Sequence, residues 1–185
     1  MFASPIANKR EDKYGGELRS RLLLVENIVK DIKEFTDDDF IISYRMGWND
    51  DLNLDIKTAQ ALESIGLESL HISSGIPNDR KIEIMDDFKF NDIVYTATQI
   101  KSHVNIPIIA VNDIQTLNRG NSLLENNLCD FVAYGRPFLA DGAFMERSLH
   151  DYNYKPCFGC KNCRWFIDGK KCPGQIKSSR SNSAH

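Results

Sequence analysis

Apolar residues at Leu18, Leu22, Val25, Val29 and Ile32 recur at intervals of three and four and predict an amphipathic helix, with Glu17/Arg21 and Glu26/Lys30 spaced to pair across a turn. Before it, Pro5, Asn8, Asp12 and Gly15-Gly16 are turn formers and predict an extended loop over residues 1–16. Residues 40–44 predict a short strand ending at Arg45, and the polar stretch 46–54 a loop. Ile56, Ala59, Ala61, Leu62 and Ile65 predict a second helix, stopped by Gly66. Residues 67–73 read as a strand running into Ser73-Ser74-Gly75, 76–90 as a charged loop, and Ile93, Ala97, Ile100 and Val104 as a third helix. Residues 106–111 form a β-rich run with Pro107 near its start, where a missing donor is tolerated, and end at Asn112-Asp113. A fourth helix is expected over 114–127, interrupted by Gly120. A strand follows over 130–134, running into Gly135-Arg136-Pro137, and a fifth helix over 138–149. Residues 152–174 have little periodicity, and the polar residues 177–185 predict a disordered end.

Strands alternating with helices imply a parallel sheet with right-handed crossovers. Two architectures fit: an open doubly wound sheet, or a segment of a (β/α)8 barrel. In both, ligands bind at the carboxyl ends of the strands. That rule selects Arg45, then Ser73, Ser74 and Gly75, then Asn112 and Asp113, then Gly135 and Arg136. Polar and glycine residues delivered to one sheet edge point to a small-molecule site.

Composition narrows the class. The 185 residues suit one domain with a short appendage. With 23 basic and 26 acidic side chains the net charge is −3, which argues against a nucleic-acid partner. No apolar run approaches the roughly 20 residues of a membrane helix. The first ten residues lack a signal-peptide core, so the expected location is cytoplasmic. G-x-S-x-G, P-loop and G-x-G-x-x-G stretches are absent.

Within that frame, three groups carry candidate chemistry. Gly135-Arg136 pairs a close-approach backbone with a planar fork for phosphate oxygens, or else forms a turn with a surface salt bridge. Arg45 either neutralises charge developing on a ligand or makes an ion pair within the wall. Cys157, Cys160, Cys163 and Cys172 form a C-x2-C-x2-C-x8-C pattern suited to a soft metal centre, zinc or iron–sulfur, and Cys129 stands alone in an apolar context. The four histidines share no ligand-like spacing; His71 lies beside the strand-end edge and reads either as a site residue or as part of the wall.

Two segments resemble a known family. Ser4-Pro5-Ile-Ala-Asn8-Lys-Arg10-Glu-Asp12-Lys-Tyr14-Gly15-Gly16-Glu-Leu-Arg-Ser-Arg21 is similar to the S-P-x-x-N-x-R-x-D-x-Y-G-G segment of the Old Yellow Enzyme family of FMN-dependent NAD(P)H:flavin oxidoreductases. Tyr134-Gly-Arg-Pro-Phe-Leu-Ala-Asp141 resembles that family's final-strand phosphate segment, and the clustered cysteines resemble the iron–sulfur motif of its 2,4-dienoyl-CoA reductase and trimethylamine dehydrogenase branch. The resemblance covers residues 2–176. It implies an α/β chain: the C-terminal half of a (β/α)8 TIM barrel, with four parallel strand–helix units over 1–150, a cysteine-rich tail over 151–176 and a disordered 177–185.

The implied cofactor is FMN and the implied reductant NAD(P)H. Arg45 would face the pyrimidine edge of the flavin and stabilise its reduced anion. Asn112 and Asp113, standing where many relatives have glycine, would lend backbone groups to the phosphate, and Gly135 and Arg136 would complete that phosphate site. Cys157, Cys160, Cys163 and Cys172 would hold a 4Fe-4S cluster or zinc. The implied activity passes hydride from NAD(P)H through FMN to an activated alkene, such as an enone or enoyl thioester. The family's first half, with its tyrosine proton donor, does not precede the Ser-Pro segment, so the expectation is a half-barrel inactive alone. A second copy would close it as a homo-oligomer, or a complementing N-terminal half would. Competing expectations are a non-catalytic fragment and a metal-binding interaction module.

Overall fold

The computed structural model describes residues 2–47, 49, 51–75 and 82–182. Residues 76–81 of the expected charged loop, Asp50 of the loop before it, and the last three residues with His185 lie outside the described residues. The element order is α1 (Leu18–Phe35), β1 (Ser43–Gly47), α2 (Leu52–Ile65), β2 (Ser69–Ser73), α3 (Asp92–Lys101), β3 (Ile108–Val111), α4 (Leu117–Glu125), β4 (Phe131–Ala133), α5 (Arg136–Ala140), α6 (Phe144–His150) and α7 (Pro173–Asn182). Two 3₁₀ turns, Arg164–Phe166 and Gly169–Lys171, precede α7.

The strands form one parallel sheet in the order β1-β2-β3-β4, with helices in the crossovers: an α/β fold. Sequential order decides between the two expected architectures, because a doubly wound sheet reverses its strand order at a switch point and a barrel segment does not. The chain forms two compact units, Met1–Asn112 with Leu128–Phe131, and Asp113–Asn127 with Val132–His185.

In the first unit the helix caps are legible chemistry. Asp51 caps α2 by accepting from Leu54 N at 3.0 Å, and Asn91 caps α3 by accepting from Val94 N at 3.1 Å. Gly66 ends α2 in the left-handed region at φ 98°, a conformation glycine adopts without steric cost. The stripe on α1 buries Leu22, Val25 and Val29. Leu62, Leu70, Ile72, Ile100 and Ile108 are fully buried. Each such side chain contributes roughly 1.5–3 kcal/mol of transfer free energy.

Alternation along the strands sends Leu70 and Ile72, with Ile108 and Ala110, into this core. The opposite face carries a cross-strand row, Arg45↔His71↔Ile109. The expected strand 40–44 is displaced to Ser43–Gly47. Pairing with β2 fixes that register, from Ser43↔Ser69 to Gly47↔Ser73, and leaves Phe40 and Ile41 exposed ahead of it. Asp130 begins the approach to β4: its N–H donates to Ile108 O at 3.0 Å, its carboxylate accepts from Ile108 N at 2.8 Å, and Lys101 pairs with it at 2.6 Å.

The second unit departs further from expectation. Gly120 does not interrupt α4, which runs through it. The single helix expected over 138–149 is two, α5 and α6, separated at Asp141-Gly142; Asp141 accepts from Ala143 N at 3.1 Å and restarts the chain. Residues 173–182, of which 177–182 were expected to be disordered, form α7. Gly174 lets α7 close on α5: a Cβ there would lie 2.8 Å from Ala140 Cβ and 2.5 Å from Pro156 O.

Candidate functional site

In the first unit, Arg45 lies at the middle of β1 and not at its end, because the strand runs on to Gly47; its Nη2 reaches forward and donates to Ser73 Oγ at 2.6 Å, the hydroxyl at the end of β2. Among the described residues Arg45 makes no ion pair, so the wall-pairing alternative is not what the fold builds. The two residues border a cleft of about 350 Å³, at the small end of the roughly 300–1,000 Å³ typical of ligand sites. Gly47, Ser74 and Gly75 also line it. Small residues let the two strand ends approach: a Cβ on Gly47 would lie 3.1 Å from Gly75 Cα, a tight contact.

Beyond β1 the chain is pinned by a buried carboxylate. Asp55, fully buried on α2, accepts from Asn49 Nδ2 at 2.6 Å and from Asn49 N, which sets Asn49 in the cleft wall. Another part of the wall comes from Ala3 and Ser4. Sequence reasoning found neither wall; only the turn residues around Asp51 and the Ser4-Pro5 segment hinted at them.

His71, in register with Arg45, places a buried Nε2 with no hydrogen-bond partner among the described residues. Burial first, then the positive charge of Arg45, lowers its pKa below the ordinary histidine value. The ring is therefore neutral near pH 7, and the row below the cleft presents one cation rather than two.

Asn112, in the same unit, has φ 100°, and Asp113, which opens the second unit, has φ 53°. Both are left-handed, a region that Asn and Asp tolerate better than other side chains. This accounts for Asn-Asp at a place where glycine is the alternative. Asn112 Oδ1 accepts from Asn91 Nδ2 at 3.3 Å.

The second unit brings Asp113 and Arg136 together: Arg136 Nη2 donates to Asp113 Oδ1 at 2.9 Å, and Gln115 Nε2 donates to the same oxygen. The expected surface salt bridge is thus formed, and Asp113 offsets part of the charge that an incoming phosphate would meet. Gly135 precedes α5 without a side-chain cap, and no atom lies within 4 Å of where its Cβ would be, which leaves room for a ligand oxygen.

The cysteines behave differently from expectation. Cys157, Cys160, Cys163 and Cys172 are free and half-buried, and Gly159 N donates to Cys157 Sγ at 3.5 Å. Among the described residues no group of three or more His, Cys, Asp or Glu side chains is gathered to hold a metal ion. Four thiols suit zinc or an iron–sulfur cluster chemically, but the fold does not close them into a ligand shell, so no chemistry is routed through them. Among the described residues no helix is long and apolar enough to cross a membrane.

Comparison with known proteins bears on the family and the fold. Residues 1–154 match the model of the NADH:flavin oxidoreductase / NADH oxidase family. A metal reductase of Desulforamulus reducens is 29% identical over 168 residues, 86% of this chain and 25% of that protein. An NADH oxidase of Thermoanaerobacter brockii is 31% identical over 170 residues, 86% of this chain and 26% of the relative. A bilirubin reductase of Mediterraneibacter gnavus is 28% identical over 187 residues, 92% and 29% respectively. The chain thus spans between a quarter and a third of the length of these relatives.

Among solved structures, a morphinone reductase variant in complex with tetrahydroNAD superposes with TM-score 0.59 at 22% identity, over 83% of this chain and 41% of that one. The 6-hydroxypseudooxynicotine amine oxidase HisD of Pseudomonas geniculata gives 0.62 at 18% identity, over 88% and 25%. The specific Ser-Pro segment, the sequential parallel sheet and the family match over most of the length agree: the chain belongs to the NADH:flavin oxidoreductase / NADH oxidase family.

Proposed function

We propose that this chain forms the FMN-binding part of an NAD(P)H-dependent oxidoreductase of ene-reductase type, whose substrate is an activated alkene. Bound FMN would supply the relay of hydride from NAD(P)H to that substrate. The observation that carries the reading is Arg45: a guanidinium on β1 that lines a cleft with Gly47, Ser74 and Gly75, held by Ser73 Oγ at 2.6 Å and paired with no carboxylate among the described residues. Such a group places fixed positive charge where a planar heterocycle accumulates negative charge. His71 stays neutral beneath it, and Ser73 fixes the direction of the fork. Gly135 and Arg136 would hold a phosphate with backbone and guanidinium donors, Asp113 limiting the net charge there and offering its main chain.

Four strand–helix units are half of what a closed barrel contains. The reading therefore includes further strand–helix units that cover the Arg45 face. The test is a titration of the purified chain with FMN, followed by visible absorption, on wild type and Arg45→Gln. A charge-assisted hydrogen bond is worth roughly 1.5–3 kcal/mol, so the variant's Kd should rise about 10- to 150-fold. A wild-type chain that takes up no FMN at millimolar concentration, or equal affinities for the two proteins, overturns the assignment.

A further inference from the structure

The most family-like stretch of the sequence does almost nothing in the cleft directly. Of residues 2–16 only Ala3 and Ser4 line it. Arg10 and Asp12 pair with each other at the surface, and Asn8 turns inward on the segment's own backbone. Asn8 is 9% exposed; its Nδ2 donates to Phe2 O and Tyr14 O, both at 2.7 Å, and its Oδ1 accepts from Arg10 N at 3.1 Å. Three of the four hydrogen-bonding positions of one amide are thereby committed to main chain. Gly15 completes the fold of the strap, since a Cβ there would lie 1.8 Å from Arg10 O.

Arg21 supplies the anchor. It is 6% exposed on α1, and its Nε donates to Ala3 O at 2.9 Å, with Nη1 donating to Gly16 O. It has no carboxylate within salt-bridge reach among the described residues. Burying a cation outside ion-pair reach of a carboxylate is costly, and that burial, only partly offset by the charge of Glu17, lowers the pKa of Arg21. A cost of this kind is offset only where the planar fork does something a neutral side chain does not. Here one guanidinium reaches two carbonyls, 18 and 5 positions away in sequence, from a rigid helix.

We infer that Asn8 and Arg21 are positioning residues of the cleft: they tie the main chain of Phe2 and Ala3 to α1 and so hold the Ala3–Ser4 wall against the ends of β1 and β2 before any ligand arrives. The inference rests on the flavin reading for the identity of the ligand, not for the strap itself. A preformed wall spares the ligand the entropy of ordering it, so loosening the strap weakens binding while the core stays intact.

The test compares Arg21→Lys, which keeps the charge and loses the fork, and Asn8→Ala with Val29→Ala, a cavity variant on the buried side of α1 away from the strap. Hydrogen–deuterium exchange of the peptide covering residues 2–6 and titration with FMN are read on all four proteins, wild type included, alongside thermal melts. Exchange in that peptide should rise at least tenfold, and the Kd for FMN at least fivefold, in Arg21→Lys and Asn8→Ala. Val29→Ala should lower Tm and move neither. Unchanged exchange in the strap variants, or faster exchange with unchanged FMN affinity, overturns the inference. So does an equal response in Val29→Ala at matched loss of Tm. If wild type binds no FMN, the flavin reading and the positioning role for it fall together, while exchange still decides whether the two side chains tie the strap.

Discussion

Replacing Gly120 by alanine sets two opposed effects against each other. Gly120 lies inside α4, where alanine is ordinarily preferred by about 0.8–1 kcal/mol. A Cβ at this position would lie 1.8 Å from Tyr134 Oη and 3.0 Å from its Cζ, far inside van der Waals contact. The tyrosine cannot swing away freely, because its ring packs on the fully buried Phe144 at a centroid distance of 5.4 Å. Over-packing costs roughly 1–3 kcal/mol, so Gly120→Ala should destabilise by about 0–2 kcal/mol despite its better helix propensity. Tyr134→Phe removes the atom at 1.8 Å and keeps the one at 3.0 Å. In that background the cost of alanine should shrink by at least about 1 kcal/mol, a coupling that a double-mutant cycle isolates. Urea denaturation of the four proteins measures it. Gly120→Ala gaining the full ~1 kcal/mol of helix propensity, with no coupling to Tyr134, would refute the reasoning.

Two further outcomes follow from titratable groups. Burial pushes the Cys129 thiol up to about 11, whereas Cys157, Cys160, Cys163 and Cys172 are half-buried, so a thiol reagent at pH 8 should label four cysteines of the metal-free native chain and a fifth only on unfolding; rapid labelling of five would contradict the burial. His71 titrates below the usual value of about 6.5 in the folded chain, so as pH falls through that value the unfolded state binds the proton first and stability is lost on acidification. Tm should therefore fall less between pH 7.5 and 5.5 in His71→Gln than in wild type, and equal slopes would count against a neutral buried ring.

Periodicity made α1 and α2 legible because each buries one stripe and carries its own stop; Gly66 at φ 98° is the clearest case. Arg45 was legible for a different reason, as a charged residue on a parallel strand that lines a cleft, although the strand runs on past it to Gly47. What local pattern concealed was long-range. The position of β1 depends on pairing with Ser69–Ser73, and the apolar Phe40 and Ile41 drew the expected strand three residues too early. Gly120 looks like a helix breaker until Tyr134, fourteen residues on, supplies the reason for it. Asp141-Gly142 is a turn dipeptide that does mark the break between α5 and α6, outweighed in the sequence by the apolar residues on either side. For the tail, C-x2-C-x2-C-x8-C spacing specifies a donor set, but not a backbone that gathers it.

The order β1-β2-β3-β4 also bears on how the chain is made. Every strand has as its earlier neighbour the strand synthesised just before it, one helical crossover away. A ribosome emitting about 5–20 residues per second therefore completes each new strand when its docking edge is already in place. Among the described residues no strand waits for a distant segment, loop closure stays short, and the contact order of the sheet is low for a β-containing fold. Growth of this kind proceeds along one edge by whole strand–helix modules, which are also the natural units in which such a chain is lengthened, shortened or recombined by a gene.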